Sequence, residues 1–239
     1  ALAAQAGEAW QCYMSAIEHP SVLAGGRFAA GQVEKIPVTH DGVIDLSALR
    51  ARLAELAGQG IRAPLVSLML ANNETGVIQP VAEAADIVHQ AGGLMHVDAV
   101  QAAGRIPIDI NALGADLLTL SGHKIGGPKG IGALLRRDRT LVIDPLIAGG
   151  GQEDRLRAGT ENVAAIAGFG AAAATAYRDL PSAREHITAL RDRIEDYLSR
   201  VFPNVTIFGA ASTRLPNTTL FAMPGVKAET AVIAFDLEG

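Results

Sequence analysis

Lys124 lies in the run LSGHKIGGPKG (residues 120–130), directly after a histidine and ahead of two glycines and a proline. An amine in that setting is either an ordinary loop lysine or a nucleophile. Desolvation and nearby positive charge would lower its pKa towards useful reactivity. Asp98 closes another apolar run, residues 94–97, where an unpaired carboxylate is costly to bury. It reads as the N-cap of the next turn or as the ion-pair partner of a protonated ring nitrogen. His19 follows a third apolar run, either as a satisfied core histidine or as a ring stacked on a ligand.

Taken together, an aspartate and a lysine on neighbouring strand ends, with a histidine at an earlier one, are the parts that pyridoxal phosphate chemistry requires. The lysine holds the cofactor's aldehyde, the carboxylate keeps the pyridine nitrogen protonated, and the ring becomes an electron sink. Its phosphate needs backbone N–H groups and hydroxyls. Ser121, His123 and the segment from Gly149 to Thr160 are candidates, although Gly149–Gly151 reads equally well as a flexible turn.

These residues need strands to deliver them. Apolar runs at 13–17, 64–70, 94–97 and 116–120 read as strands buried on both faces, suited to the middle of a parallel sheet. Between them Leu46, Leu49, Leu53 and Leu56 recur at helical spacing behind Asp45, a good N-cap. A second helix over 81–90 opens after Pro80 and closes at Gly92 and Gly93. Residues 132–136 read as one more strand. The βαβ alternation predicts an α/β domain with a mainly parallel sheet, and ligands of such sheets collect beyond the carboxyl ends of the strands. After residue 182 a long amphipathic helix carries Ile187, Leu190, Ile194 and Leu198. Strand-like runs at 205–208 and 217–221 follow, then a helix from Ala228. We therefore expect a large domain over 1–180 and part of a smaller α+β domain over 181–239.

The 239 residues are 49% hydrophobic with a net charge of −5, a composition that suits a close-packed globular protein and excludes a basic nucleic-acid-binding face. The stretch 163–176 is mostly alanine and glycine and too short to span a bilayer. The single cysteine, Cys12, permits no intrachain disulfide and favours a reducing compartment. With no leader-like pattern in residues 1–10, a cytoplasmic location is expected. Residues 1–9 read as the interior of a helix, so the chain is expected to be a fragment at both ends.

Four segments, NNETGVIQP (72–80), HVDAVQAAGRIPID (96–109), SGHKIGGPKGIGAL (121–134) and GGGQEDRLRAGTEN (149–162), resemble the cysteine desulfurases, pyridoxal-phosphate enzymes of the class V aminotransferase group. The resemblance runs from Tyr13 to the C-terminus. It implies a fold-type-I aminotransferase architecture, a homodimer, and conversion of L-cysteine to L-alanine. The sulfur passes to a cysteine persulfide and on to a sulfur acceptor or iron–sulfur scaffold protein, or into thio-modification. By the same resemblance Lys124 matches the lysine that binds the cofactor covalently, and Asp98 the pyridine-nitrogen partner. Gln101 matches the donor to the ring's phenolic oxygen, and His19 the stacking histidine also proposed as acid/base. Asn73 matches the asparagine near that oxygen and the substrate. Ser121 and His123 match phosphate ligands, and Thr160 the threonine reaching the partner subunit's phosphate.

The family's persulfide cysteine and carboxylate-binding arginine match nothing in the 239 residues, nor does its upstream glycine/threonine phosphate loop. Cys12 does not match the catalytic position and reads as a small core residue. Two alternatives remain: a selenocysteine lyase or other class V aminotransferase, and a non-catalytic truncated paralogue. No metal site is read, and neither nucleic acid nor membrane is expected as a partner.

Overall fold

The computed structural model describes residues 11–58 and 64–238; the helix expected over residues 1–9 lies outside them. Chain order begins with β1 (Cys12–Ser15), the short α1 (Pro20–Leu23), β2 (Val33–Ile36) and α2 (Leu46–Gly58). It continues with β3 (Leu65–Met69), α3 (Val81–Gln90), β4 (Leu94–Asp98), β5 (Leu117–Ser121) and β6 (Gly132–Arg136). The 39-residue α4 (Val163–Val201), β7 (Thr206–Ile207), β8 (Phe221–Ala222) and α5 (Ala228–Glu238) complete it.

Six strands form one sheet in the order β2-β1-β3-β4-β5-β6. All neighbours run parallel except β6, which returns antiparallel to β5. β2 lies on one side of β1 and β3 on the other, so the winding reverses at β1. Such a reversal opens a crevice at the carboxyl ends of the flanking strands.

The local signals explain most elements. Asp45 Oδ1 accepts the N–H groups of Ser47 and Ala48 at 2.9 Å each and starts α2. The leucine stripe then buries Leu49, Leu53 and Leu56. α3 buries Val81, Ala84, Ala85, Ile87 and Val88 against the same sheet face, with Val66, Leu68, Met95, Val97 and Leu118 beneath. β4 alternates: Met95 and Val97 are buried in that core, whereas Leu94, His96 and Asp98 are only partly covered. Asp116, just ahead of β5, accepts Met95 N–H (2.8 Å) and His89 Nε2 (2.8 Å) and pairs with Arg137. That node ties α3, β4 and the residue after β6 together at the sheet end opposite the carboxyl ends of the parallel strands.

Two expectations change. β2 was not foreseen; it is a charged edge strand whose Glu34 takes a two-pronged bond from Arg52 of α2 at 2.9 and 2.8 Å. The long helix expected after residue 182 begins instead at Val163, where the Asn162 side chain accepts Ala165 N–H at 3.1 Å. It runs unbroken through Pro181. Proline usually ends a helix because it lacks an N–H and crowds the preceding turn. Here Ser182 Oγ donates to Asp179 O at 3.1 Å, one turn back, and the helix continues past the proline. The boundary expected at 180 thus falls within a continuous helix.

The C-terminal segment docks back on the sheet. Ile78 N donates to Thr213 O and Leu215 N to Gly76 O, each at 2.8 Å, with Leu215 buried. Among the described residues no helix is long and apolar enough to cross a membrane.

Candidate active site

The adjacent parallel strands β1, β3, β4 and β5 all end at one edge, and each end carries polar residues. These are Glu18-His19 after β1, Asn72-Asn73 after β3, Asp98 to Gln101 at β4, and Ser121 to Lys124 at β5. The pairing Met69↔Asp98↔Thr119 brings the last residue of β4 level with β3 and β5. Seven of the eight residues singled out from sequence therefore belong to one edge: His19, Asn73, Asp98, Gln101, Ser121, His123 and Lys124. Thr160 lies exposed on the loop ahead of α4, apart from the other seven in the chain.

Lys124 ends a single 3-10 turn, Gly122–Lys124. Ile125 N and Gly127 N both return to Gly122 O, at 3.1 and 2.9 Å, and Gly122 N bonds Ile131 O at 2.9 Å. Gly126 takes φ +84°, a left-handed geometry that lets the chain reverse at once. Arg105 Nη1 donates to Lys124 O at 3.1 Å and holds the lysine's backbone from the β4 side. Burial lowers the Arg105 pKa. Sequence reasoning missed this arginine; its only signal was a cation inside an otherwise apolar stretch.

Asp98 Oδ1 accepts Val100 N–H at 2.9 Å. Burial raises its pKa, opposed by that N–H and by the electrostatic influence of nearby His19. Among the described residues no lysine or arginine forms an ion pair with it. A desolvated carboxylate without a cationic partner suits an incoming cation such as a protonated ring nitrogen. His19 caps α1: Ser21 N bonds its Nδ1 at 3.2 Å and Ser21 Oγ lies 2.8 Å away, which fixes an exposed ring at the crevice mouth.

Asn72, unlike Asn73, is structural. It is buried, donates to Ile17 O at 3.1 Å, and accepts from Glu74 N and Thr75 N at 2.9 Å each. It joins the β1 and β3 ends and leaves the half-buried Asn73 at the edge. Beneath Asp98, His96 contacts Ser67 Oγ (2.7 Å) and Thr119 Oγ1 (3.3 Å); desolvation drops its pKa to about 4. It stays neutral and links three strands. Cys12 is buried with its thiol pushed up to about 11 by burial and by Glu18, which matches a core role.

An open, mainly parallel sheet with these strand ends has the architecture of the fold-type-I pyridoxal-phosphate transferases. The family model for class-V aminotransferases matches residues 3–239, and the chain belongs to that family, whose members depend on pyridoxal phosphate. It is 42% identical over 229 residues to a cysteine desulfurase of Sinorhizobium fredii, covering 94% of this chain and 57% of that protein. It is 41% identical over 243 residues to one from Gluconacetobacter diazotrophicus, covering 100% of this chain and 59% of that protein. A NifS-like protein from Rickettsia africae superposes with a TM-score of 0.88 at 42% identity, over 95% of this chain and 61% of the other. The chain thus spans somewhat over half the length of the curated relatives it matches.

Proposed function

We propose that the protein containing this chain is a pyridoxal-phosphate-dependent cysteine desulfurase that converts L-cysteine to L-alanine and passes the sulfur on as an enzyme persulfide. The observation that carries this reading is the placement of Asp98 and Lys124 on the ends of the paired strands β4 and β5. The relatives named cysteine desulfurase point to the same reaction.

When bound, the cofactor supplies an electron sink for the carbanion formed at the substrate's Cα. This chain's residues do the rest. Lys124 Nζ would hold the cofactor through its aldehyde carbon and is placed to move the Cα proton. Asp98, which among the described residues forms no ion pair with a lysine or arginine, would keep the ring nitrogen protonated. His19 stacks on the ring, and Gln101 and Asn73 bond its phenolic oxygen. Ser121 and His123 take the phosphate, with Thr160 reaching the partner subunit's phosphate across a homodimer. Residues 181–239 form part of a smaller domain, hinged to the rest by α4. The enzyme works in the cytoplasm and hands sulfur to an acceptor or iron–sulfur scaffold protein.

The test is turnover by the complete protein supplied with cofactor and L-cysteine. Equimolar alanine and sulfide in the presence of a thiol reductant are expected. Activity with selenocysteine alone, or none with either substrate, would overturn the reading.

A further inference from the structure

Glu18 is a carboxyl group at this edge that the proposed chemistry does not use. It is 4% exposed, in the loop between β1 and α1 at the point where the winding reverses. Its Oε1 accepts Met69 N–H at 2.5 Å, stitching the β1 end to the last residue of β3, whose partner in the next strand is Asp98. Its other oxygen, Oε2, is buried and has no hydrogen-bond partner among the described residues. A buried carboxylate with an unsatisfied oxygen is expensive, and two carboxylates cannot both ionise cheaply side by side in a desolvated site.

We infer that Glu18 is a positioning residue that stands as a neutral carboxylic acid, leaving Asp98 as the sole negative charge for the cofactor's ring nitrogen. This deepens the proposed function and rests on it only for the identity of the cation. The charged and titratable groups around Glu18 are Asp98 of β4, His19 next in the chain and Cys12 of β1. Among these, both carboxylates are disfavoured as anions by burial. Asp98 has the Val100 N–H and the electrostatic influence of His19 to favour its negative form, whereas among the described residues Glu18 has the Met69 N–H alone. Burial, partly offset by that N–H and reinforced by Asp98, brings Glu18 up to about 8. The asymmetry assigns the proton to Glu18. Ionised, Glu18 would compete with Asp98 for the ring cation; neutral, it joins β1 to β3 without adding charge.

The test uses the complete protein, first free of cofactor. Infrared difference spectra between wild type and Glu18→Gln should show a protonated-carboxyl band at pH 7 in the wild type that disappears with a midpoint near pH 8. Glu18→Gln, which keeps the shape and the Met69 bond, should hold pyridoxal phosphate within about threefold of wild type. Glu18→Ala, which loses the Met69 bond, should weaken it by on the order of tenfold. If Glu18→Ala fails to fold, the infrared titration and Glu18→Gln still decide. No protonated-carboxyl band at pH 7, or a Glu18→Gln defect of tenfold or more, overturns the inference. A sound titration with no cofactor bound by either protein would instead count against the proposed function.

Discussion

Arg214→Ala is expected to be the most costly single change in the C-terminal part, and its size follows from the geometry. Arg214 makes two parallel bonds to Glu195 of α4, Nη1 to Oε1 and Nη2 to Oε2, each 2.7 Å long. Their side chains are 6% and 15% exposed, and Thr219 Oγ1 also donates to Glu195. The backbone of Arg214 forms a bridge with Val77, directly behind the turn that carries Asn73. Removing one partner of such a buried pair leaves the other charged and desolvated, at about 3–5 kcal/mol. That is a large part of the ~5–15 kcal/mol that stabilises a typical domain. The sign with pH is also determined. Burial works against the Glu195 charge, but Arg214 and Thr219 outweigh it and hold the carboxyl below its ordinary value. The pair therefore stabilises fully above the unfolded-state pKa of about 4.3, and less as pH falls through the lower folded value. Urea unfolding of wild type and Arg214→Ala at pH 7 should differ by about 3–5 kcal/mol, and the gap should narrow in acid. Hydrogen exchange at Leu215 N–H and Gly76 N–H should accelerate in the variant. A difference below ~1 kcal/mol at pH 7, or a gap unchanged in acid, would refute the reasoning.

Three further outcomes are expected. Gly76 holds φ +74°, and a Cβ there would lie 2.8 Å from Thr218 Cβ, so Gly76→Ala should destabilise the fold by about 1–3 kcal/mol in urea titration. His96 carries its proton less readily when folded, about 4 against the ordinary 6.5. Stability should therefore fall as pH drops from 6.5 towards 4, by on the order of 3 kcal/mol, and unfolding of His96→Asn should lack that slope. Arg105→Ala removes the donor to Lys124 O and should slow covalent capture of the cofactor at Lys124 by about tenfold, measured by stopped-flow absorbance.

The polar edge of the sheet was legible because strand ends announce themselves. The apolar runs ending at Leu70, Val97 and Leu120 give way to polar residues within two positions, and each strand stops within a residue of the expected place. Asp45 and the leucine stripe similarly marked α2, a case where side-chain chemistry acts within one turn. What escaped depends on partners distant in sequence. β2 reads as a charged loop until Arg52 neutralises Glu34 across 18 positions. Pro181 reads as a stop, yet α4 runs on through it. Glu18 looks like half of a polar pair with His19, and only Met69, 51 positions away, reveals a buried carboxyl. Lys124 and Asp98 stood out by residue type and position, and the resemblance then suggested their roles; roles that act through burial have no local signature.

The central claim is that Lys124 is the covalent anchor. The complete protein should be mixed with pyridoxal phosphate, reduced with borohydride, digested and analysed by mass spectrometry. The account predicts one cofactor-derived adduct, on the peptide containing Lys124, and none in Lys124→Ala. A stoichiometric adduct on another lysine, or an equal yield in Lys124→Ala, would contradict it.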